Sequence, residues 1–408
     1  IAINGGSVRT TGSQTYNDAV TLGVNTTLTG TGITLGSTVD GATGTSVSLT
    51  IADSGATVLN GAIGDTTALR SLTVGSIGGA TLAGGTITTS GSQTYSHAVT
   101  LGDDATLTGH GINFAARIDG AKSLTIVDGG ATVFNGAIGN TAALTSLTVD
   151  STDGTTINGG SVRTTGSQTY NDAVTLGVNT TLTGSDITLA STVDGATGTS
   201  VSLTIADSGA TVLNGAIGST TALTSLTVDS TNGTAINGGS VRTTGSQTYN
   251  DAVTLGVNTT LTGNGITLDS TVDGATGTSV SLTIADTGAT VLNGAIGNTT
   301  ALTSLTVDSA NGTAINGGSV RTTGSQTYND AVMLGVDTTL TGHGITLDST
   351  VDGASGTSVS LTIVDSGATV LNGAIGRTTA LTSLTVDAAS GIAINGGSVR
   401  TTGSQTYN

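Results

Sequence analysis

Cysteine, proline, tryptophan and glutamate are missing from these 408 residues, and lysine and methionine occur once each. Without cysteine there are no disulfide staples and no thiolate chemistry, and the redox compartment is left open. Without Glu and with a single Lys and a single Met the chain is poor in strong helix formers, so helices are not expected. Only 9% of residues are charged, and no apolar run approaches the roughly 20 residues of a membrane-spanning helix. Membrane insertion of this segment is therefore not expected. Basic residues are scarce as well: 9 Lys+Arg face 26 acidic residues, all Asp, for a net charge of −17. That balance repels nucleic acid, and no basic stripe offsets it. Disorder fits poorly, because the chain is 35% hydrophobic with no proline and little charge.

What remains is Thr, Val, Ile and 65 glycines. Such a mixture suits short β-branched strands separated by turns in which Gly takes positive φ. It is laid out periodically. The string GGSVRTTGSQTY begins at Gly5 and returns at Gly159, Gly238, Gly317 and Gly396, with the variant GGTITTSGSQTY at Gly84. The units are 5–83, 84–158, 159–237, 238–316, 317–395 and a partial 396–408, spaced by 79 residues except for one of 75. Regular repetition decides the architecture ahead of local propensity. The predicted fold is all-β, a right-handed parallel β-helix (β-solenoid) of tandem ~79-residue repeats, one continuous solenoid over 1–408.

Each unit holds period-two stretches such as Leu282, Ile284 and Leu305, Val307, bounded by Gly, Asn or Asp turns. Three similar segments per unit suggest three strands per coil and roughly 26 residues per coil, with four coils of roughly 20 as the alternative. The short unit loses four residues where TVDGATGTSVSLTI becomes RIDGAKSLTI, a turn that should project outward. Phe114 and Phe134 stand where other units have leucines and read as core. Units 238–316 and 317–395 differ at ten positions, which points to duplication serving length or multivalency.

Candidate functional positions recur with the unit. Asn60, Asn135, Asn214, Asn293 and Asn372 each precede Gly; they suit an amide ladder or simple turns. A continuous ladder would need Asn from intervening coils. Asp40, Asp119, Asp194, Asp273 and Asp352 sit in a Val/Ile-Asp-Gly turn and are weak candidates for Ca²⁺. Asp53, Asp128, Asp207, Asp286 and Asp365 follow the strand SLTI and read as solvated turn residues, as the Ca²⁺ candidates also do on the simpler reading. Arg9 and Asp18, with their counterparts in later units, vanish together from the second unit, which suggests a surface ion pair. Tyr16, Tyr95, Tyr170, Tyr249 and Tyr328 share one structural slot. His97, His110 and His343 have no second metal-type ligand at useful spacing, and no catalytic cluster of Asp with Arg or Lys breaks the repeat. The expectation is a protein that is not an enzyme and needs no cofactor beyond the weak Ca²⁺ option.

The strings SLTVDS, NGTAINGGSVRTTGSQTYNDAVTLG and TLTGNGITL resemble the repeats of very large bacterial surface proteins of the filamentous haemagglutinin-like adhesin type. The resemblance covers essentially the whole chain. It implies a parallel β-helix shaft, export to the cell surface, and a role in adhesion, aggregation or biofilm. The partners it implies are other copies of the chain, or a ligand on a host cell, another cell surface or the matrix. Ending inside a motif, the chain reads as an excerpt of something longer. Two further classes stand beside this one: a self-assembling extracellular fibre, and ice or crystal-surface binding through regular Thr arrays.

Overall fold

The alternation of β-branched and small polar residues, cut by Gly-containing turns, gives strands of two to six residues throughout and no helix. The computed structural model covers residues 1–408. It divides into two compact units, Ile1–Val201 and Ser202–Asn408. Each is a parallel β-solenoid in which strands pair in register with strands of the neighbouring coils.

In the second unit one outward column runs Thr204, Thr227, Thr248, Thr267, Val291, Ala314, Met333, Asp352. The steps along it are 23, 21, 19, 24, 23, 19 and 19 residues. A coil therefore averages about 21 residues, shorter than the roughly 26 expected for three strands and their turns. The strands are shorter than the sequence segments suggest, and tight turns consume few residues.

The 79-residue repeat does not contain a whole number of coils. Unit 238–316 supplies ten strands, from Ser240–Arg242 to Thr313–Ile315. An eleventh position is the single residue Ile296, which bridges Val272 and Val320. Three positions make one coil, so eleven positions make three and two-thirds. Both whole-number readings, three coils and four, are corrected by this. Each repeat consequently starts on a different face from the last. Tyr249 stacks in the column of Ile205, while Tyr328 stacks in that of Leu261 and Tyr407 in that of Leu340. The same step occurs in the first unit, where Tyr16, Tyr95 and Tyr170 fall on three different faces.

Inward side chains form stacked columns such as Ile205, Val228, Tyr249, Leu268, Leu292, Ile315 and Leu334. All of these are buried. Full burial of such a side chain is worth about 1.5–3 kcal/mol as an upper value, and it accrues between neighbouring coils rather than across the whole chain. In the first unit Phe114 and Phe134 extend the column of Tyr95 as stacked rings, with centroids 4.8 and 5.6 Å apart. The turn that the short repeat trims lies outward, with Thr43 and Gly44 exposed before Val47 folds back into the core.

Candidate functional site

The Asn-Gly turns form short amide ladders. Asn135 Nδ2 donates to Asn113 Oδ1 at 3.0 Å, and Asn158 Nδ2 donates to Asn135 Oδ1 at 2.8 Å. In the second unit Asn237 donates to Asn214, Asn316 to Asn293 and Asn395 to Asn372. Asn293 and Asn372 donate in turn to Asp269 and Asp348 at 2.6 Å. The rungs come from neighbouring coils, as a ladder requires. A run ends where the next coil carries glycine: a Cβ on Gly335 would lie 2.2 Å from Asn316 Oδ1. Asn60 has no rung, because Gly36 and Ala83 occupy the flanking coils. The Gly of each pair is required by close approach: a Cβ on Gly294 would lie 2.0 Å from the Ser270 carbonyl carbon.

The aspartates after SLTI are not solvated. Asp53, Asp128, Asp207, Asp286 and Asp365 are only 2–3% exposed, which corrects the turn reading. Asp286 accepts from the backbone N–H groups of Gly265, Ile266 and Gly288 at 2.7–2.9 Å and from Thr290 Oγ1 at 3.0 Å. Asp365 accepts the equivalent four bonds from Gly344, Ile345, Gly367 and Thr369. Two donors come from the preceding coil and two from the segment that follows the aspartate, so each carboxylate staples two layers. Burial pushes the Asp365 carboxyl up, but these four donors outweigh it and hold the group below its ordinary value. Ser309 Oγ extends the network by donating to Thr290 Oγ1 at 2.6 Å.

The tyrosine slot is a second buried polar device. Tyr95, Tyr170, Tyr249 and Tyr328 are fully buried, and each hydroxyl donates to the Oε1 of the glutamine two residues earlier. Gln247 Nε2 donates on to the carbonyls of Val241 and Thr262. Burial pushes all four phenols up. Tyr16, in the same slot, is only half-buried and bonds Gln14 in the same way. The buried glutamines and aspartates escape a reading by residue type, although parity marks them. Asp286 continues the inward series Leu282, Ile284, and Gln247 lies two residues from inward Tyr249.

The expected Arg–Asp pair does not form. The ion pairs present are Arg117–Asp119 at 3.0 Å and Lys122–Asp103 at 3.3 Å, both in the short repeat. Arg9 and Asp18 make neither. The counterparts Asp172, Asp251 and Asp330 accept from the backbone N–H of Ser151, Ser230 and Ser309 in the preceding coil. That bond needs no arginine.

The Ca²⁺ candidates are turn-holding acceptors. Asp40 Oδ1 accepts from Thr66 and Thr67 N–H, Asp273 from Thr299 and Thr300, and Asp352 from Thr378 and Thr379. Asp119 accepts likewise from Thr141 and Ala142. Asp194 holds the same position in its repeat, one column step after Thr175. Within each compact unit the repeat step places successive members on different faces, and no group of three or more acidic or histidine side chains gathers to hold a metal. Each candidate therefore brings its carboxylate without the cluster of further acidic side chains that a Ca²⁺ site commonly collects.

The outer faces are threonine files. Thr106, Thr125, Thr148, Thr169 and Thr188 stack in one column of the first unit. Thr260, Thr283, Thr306, Thr327 and Thr346 do so in the second, followed by Val370 and Ala393. Stacked strands lie about 4.8 Å apart, so the hydroxyls form a one-dimensional file at that spacing. No family model, curated protein or solved structure matches the chain.

Proposed function

We propose that the chain is shaft material of an extracellular bacterial adhesin or surface filament, with a mechanical and display role in adhesion, aggregation or biofilm. The observation that carries this reading is the fixed advance of three and two-thirds coils per repeat. It lays one set of outward side chains on every face in turn, and the core holds neighbouring coils together without any singular site. Lengthening by duplication then adds further copies of each outward group, and weak binding to a dense surface ligand is multiplied by avidity. The polar staples are paired internally, which leaves the Thr files and the turns to meet a partner. Ice or crystal-surface binding is less well supported, because the threonines run in single files broken by Val, Ala and Asp rather than in a two-dimensional net.

The test is display of the chain on the surface of a non-adherent bacterium. Increased attachment to cells or matrix, or increased cell–cell aggregation, is expected, and it should rise with repeat number. Attachment and aggregation equal to those of the parent cells would overturn the reading. A cohesive fibre is the second reading, favoured by solvent-exposed Val257 and Val336, which recur at the same turn in successive repeats.

A further inference from the structure

Two successive repeats of the second unit carry a shallow apolar groove where the Thr file gives way to smaller side chains. One is lined by Val212, Ala235 and Thr254, the next by Val291, Ala314 and Met333. They offer about 130 and 210 Å³. Alanine at the centre opens them; the first unit has the bulkier Thr81 and Thr156 in that position. The two grooves lie on different faces because of the one-face step per repeat. The first sits on the column Val212, Ala235, Thr254, Asp273. The second sits on Val291, Ala314, Met333.

We propose that these grooves receive the exposed valine corners, Val257 and Val336, of further copies of this chain. This rests on the cohesive reading above and names its surface. Three observations select that occupant. A groove of this size takes an aliphatic side chain or two, far less than the roughly 800 Å² per partner of a stable interface, so one contact does not hold and the occupant must be multivalent. Successive grooves face different ways and are met by different neighbours, and neighbours that repeat the same 79-residue advance and the same step between faces, as copies of this chain do, meet them in register. The corners supply the matching convexity, since Val257 and Val336 are each 41% exposed on the turn before a Thr-rich strand. Because the grooves face different ways, neighbours on different sides each add a contact, and a lateral array sums them. The net charge of −17 opposes approach, so contact strengthens as salt screens it.

The absence of cysteine makes the test clean. V257C and A314C variants of the chain are mixed under mild oxidation in about 0.5 M salt, where the Debye length is only a few ångströms. Mixed disulfides, identified by peptide mass spectrometry, are counted against a V257C and T283C mixture, with sedimentation run in parallel. None of the three positions belongs to the buried core, so the core is left intact. The expected result is sedimenting oligomers and at least about tenfold faster V257C–A314C crosslinking, because docking raises the effective concentration of that pair and not of the control pair. Oligomers with equal crosslinking in the two mixtures would overturn this surface and leave cohesion standing. Monomers at all concentrations would overturn both, while the shaft reading would stand.

Discussion

The Asp365 carboxylate, held by four donors, lies below its ordinary value of 3.8 in the folded chain, so the unfolded chain binds the proton more readily in the acid range. Its stabilisation is therefore complete at neutral pH and is lost as pH drops below that ordinary value and through the folded one. D365N, which places an amide among four donors, should lower stability by about 1.5–3 kcal/mol at pH 7. Thermal melts should show the gap between parent and variant closing as the pH drops through that range. The buried tyrosines act at the other end of the scale. Their pKa values are raised by burial, so the unfolded chain loses phenolic protons first, and stability falls as pH rises past about 10. Phenolate absorbance should therefore appear in two stages on alkaline titration, with exposed Tyr407 and half-buried Tyr16 first. Tyr95, Tyr170, Tyr249 and Tyr328 should follow only with loss of the β circular dichroism signal.

At the scale of strands and turns, close stacking makes some glycines obligatory and leaves others merely convenient. G294A would drive a Cβ to 2.0 Å from the Ser270 carbonyl carbon, so the coil must shift. G277A meets nothing within 4 Å and carries only the strain of its φ of +81°, about 1–2 kcal/mol. Urea unfolding should therefore rank G294A as clearly the more damaging. Deleting four residues from the turn 275–281, as the short repeat does naturally, should cost less than G294A in the same measurement. Much of this level is legible in the sequence: the strands, the tolerant turn and the inward Phe114 and Phe134 follow from alternation and repeat alignment. The coil length is not, because register is set by backbone pairing between coils, and Ile296, a lone bridge inside NGAIGNTT, looks like part of a turn. The buried aspartates are misread because an Asp near a Gly turn has the same local pattern whether it points in or out. Only its parity with Leu282 and Ile284 distinguishes the two. The Arg–Asp pairing fails for a related reason: joint loss from one repeat does not reveal that Asp172 bonds the backbone of Ser151.

For each compact unit as a whole, the defining property is the mismatch between repeat and coil. Equivalent residues step from face to face, whereas residues on one face come from different places in the repeat. Thr248 and Met333 share a column four coils apart, through Thr267, Val291 and Ala314. Thr327, the repeat equivalent of Thr248, lies on another face. Spin labels at T248C with M333C, and at T248C with T327C, measure this directly by pulsed electron double resonance. Four strand spacings put the first pair about 19 Å apart between backbones, and the second pair should be clearly longer because its labels point away from different faces. If the T248C and T327C labels instead prove the closer pair, at about four strand spacings, the repeat holds a whole number of coils and the face-stepping architecture is wrong.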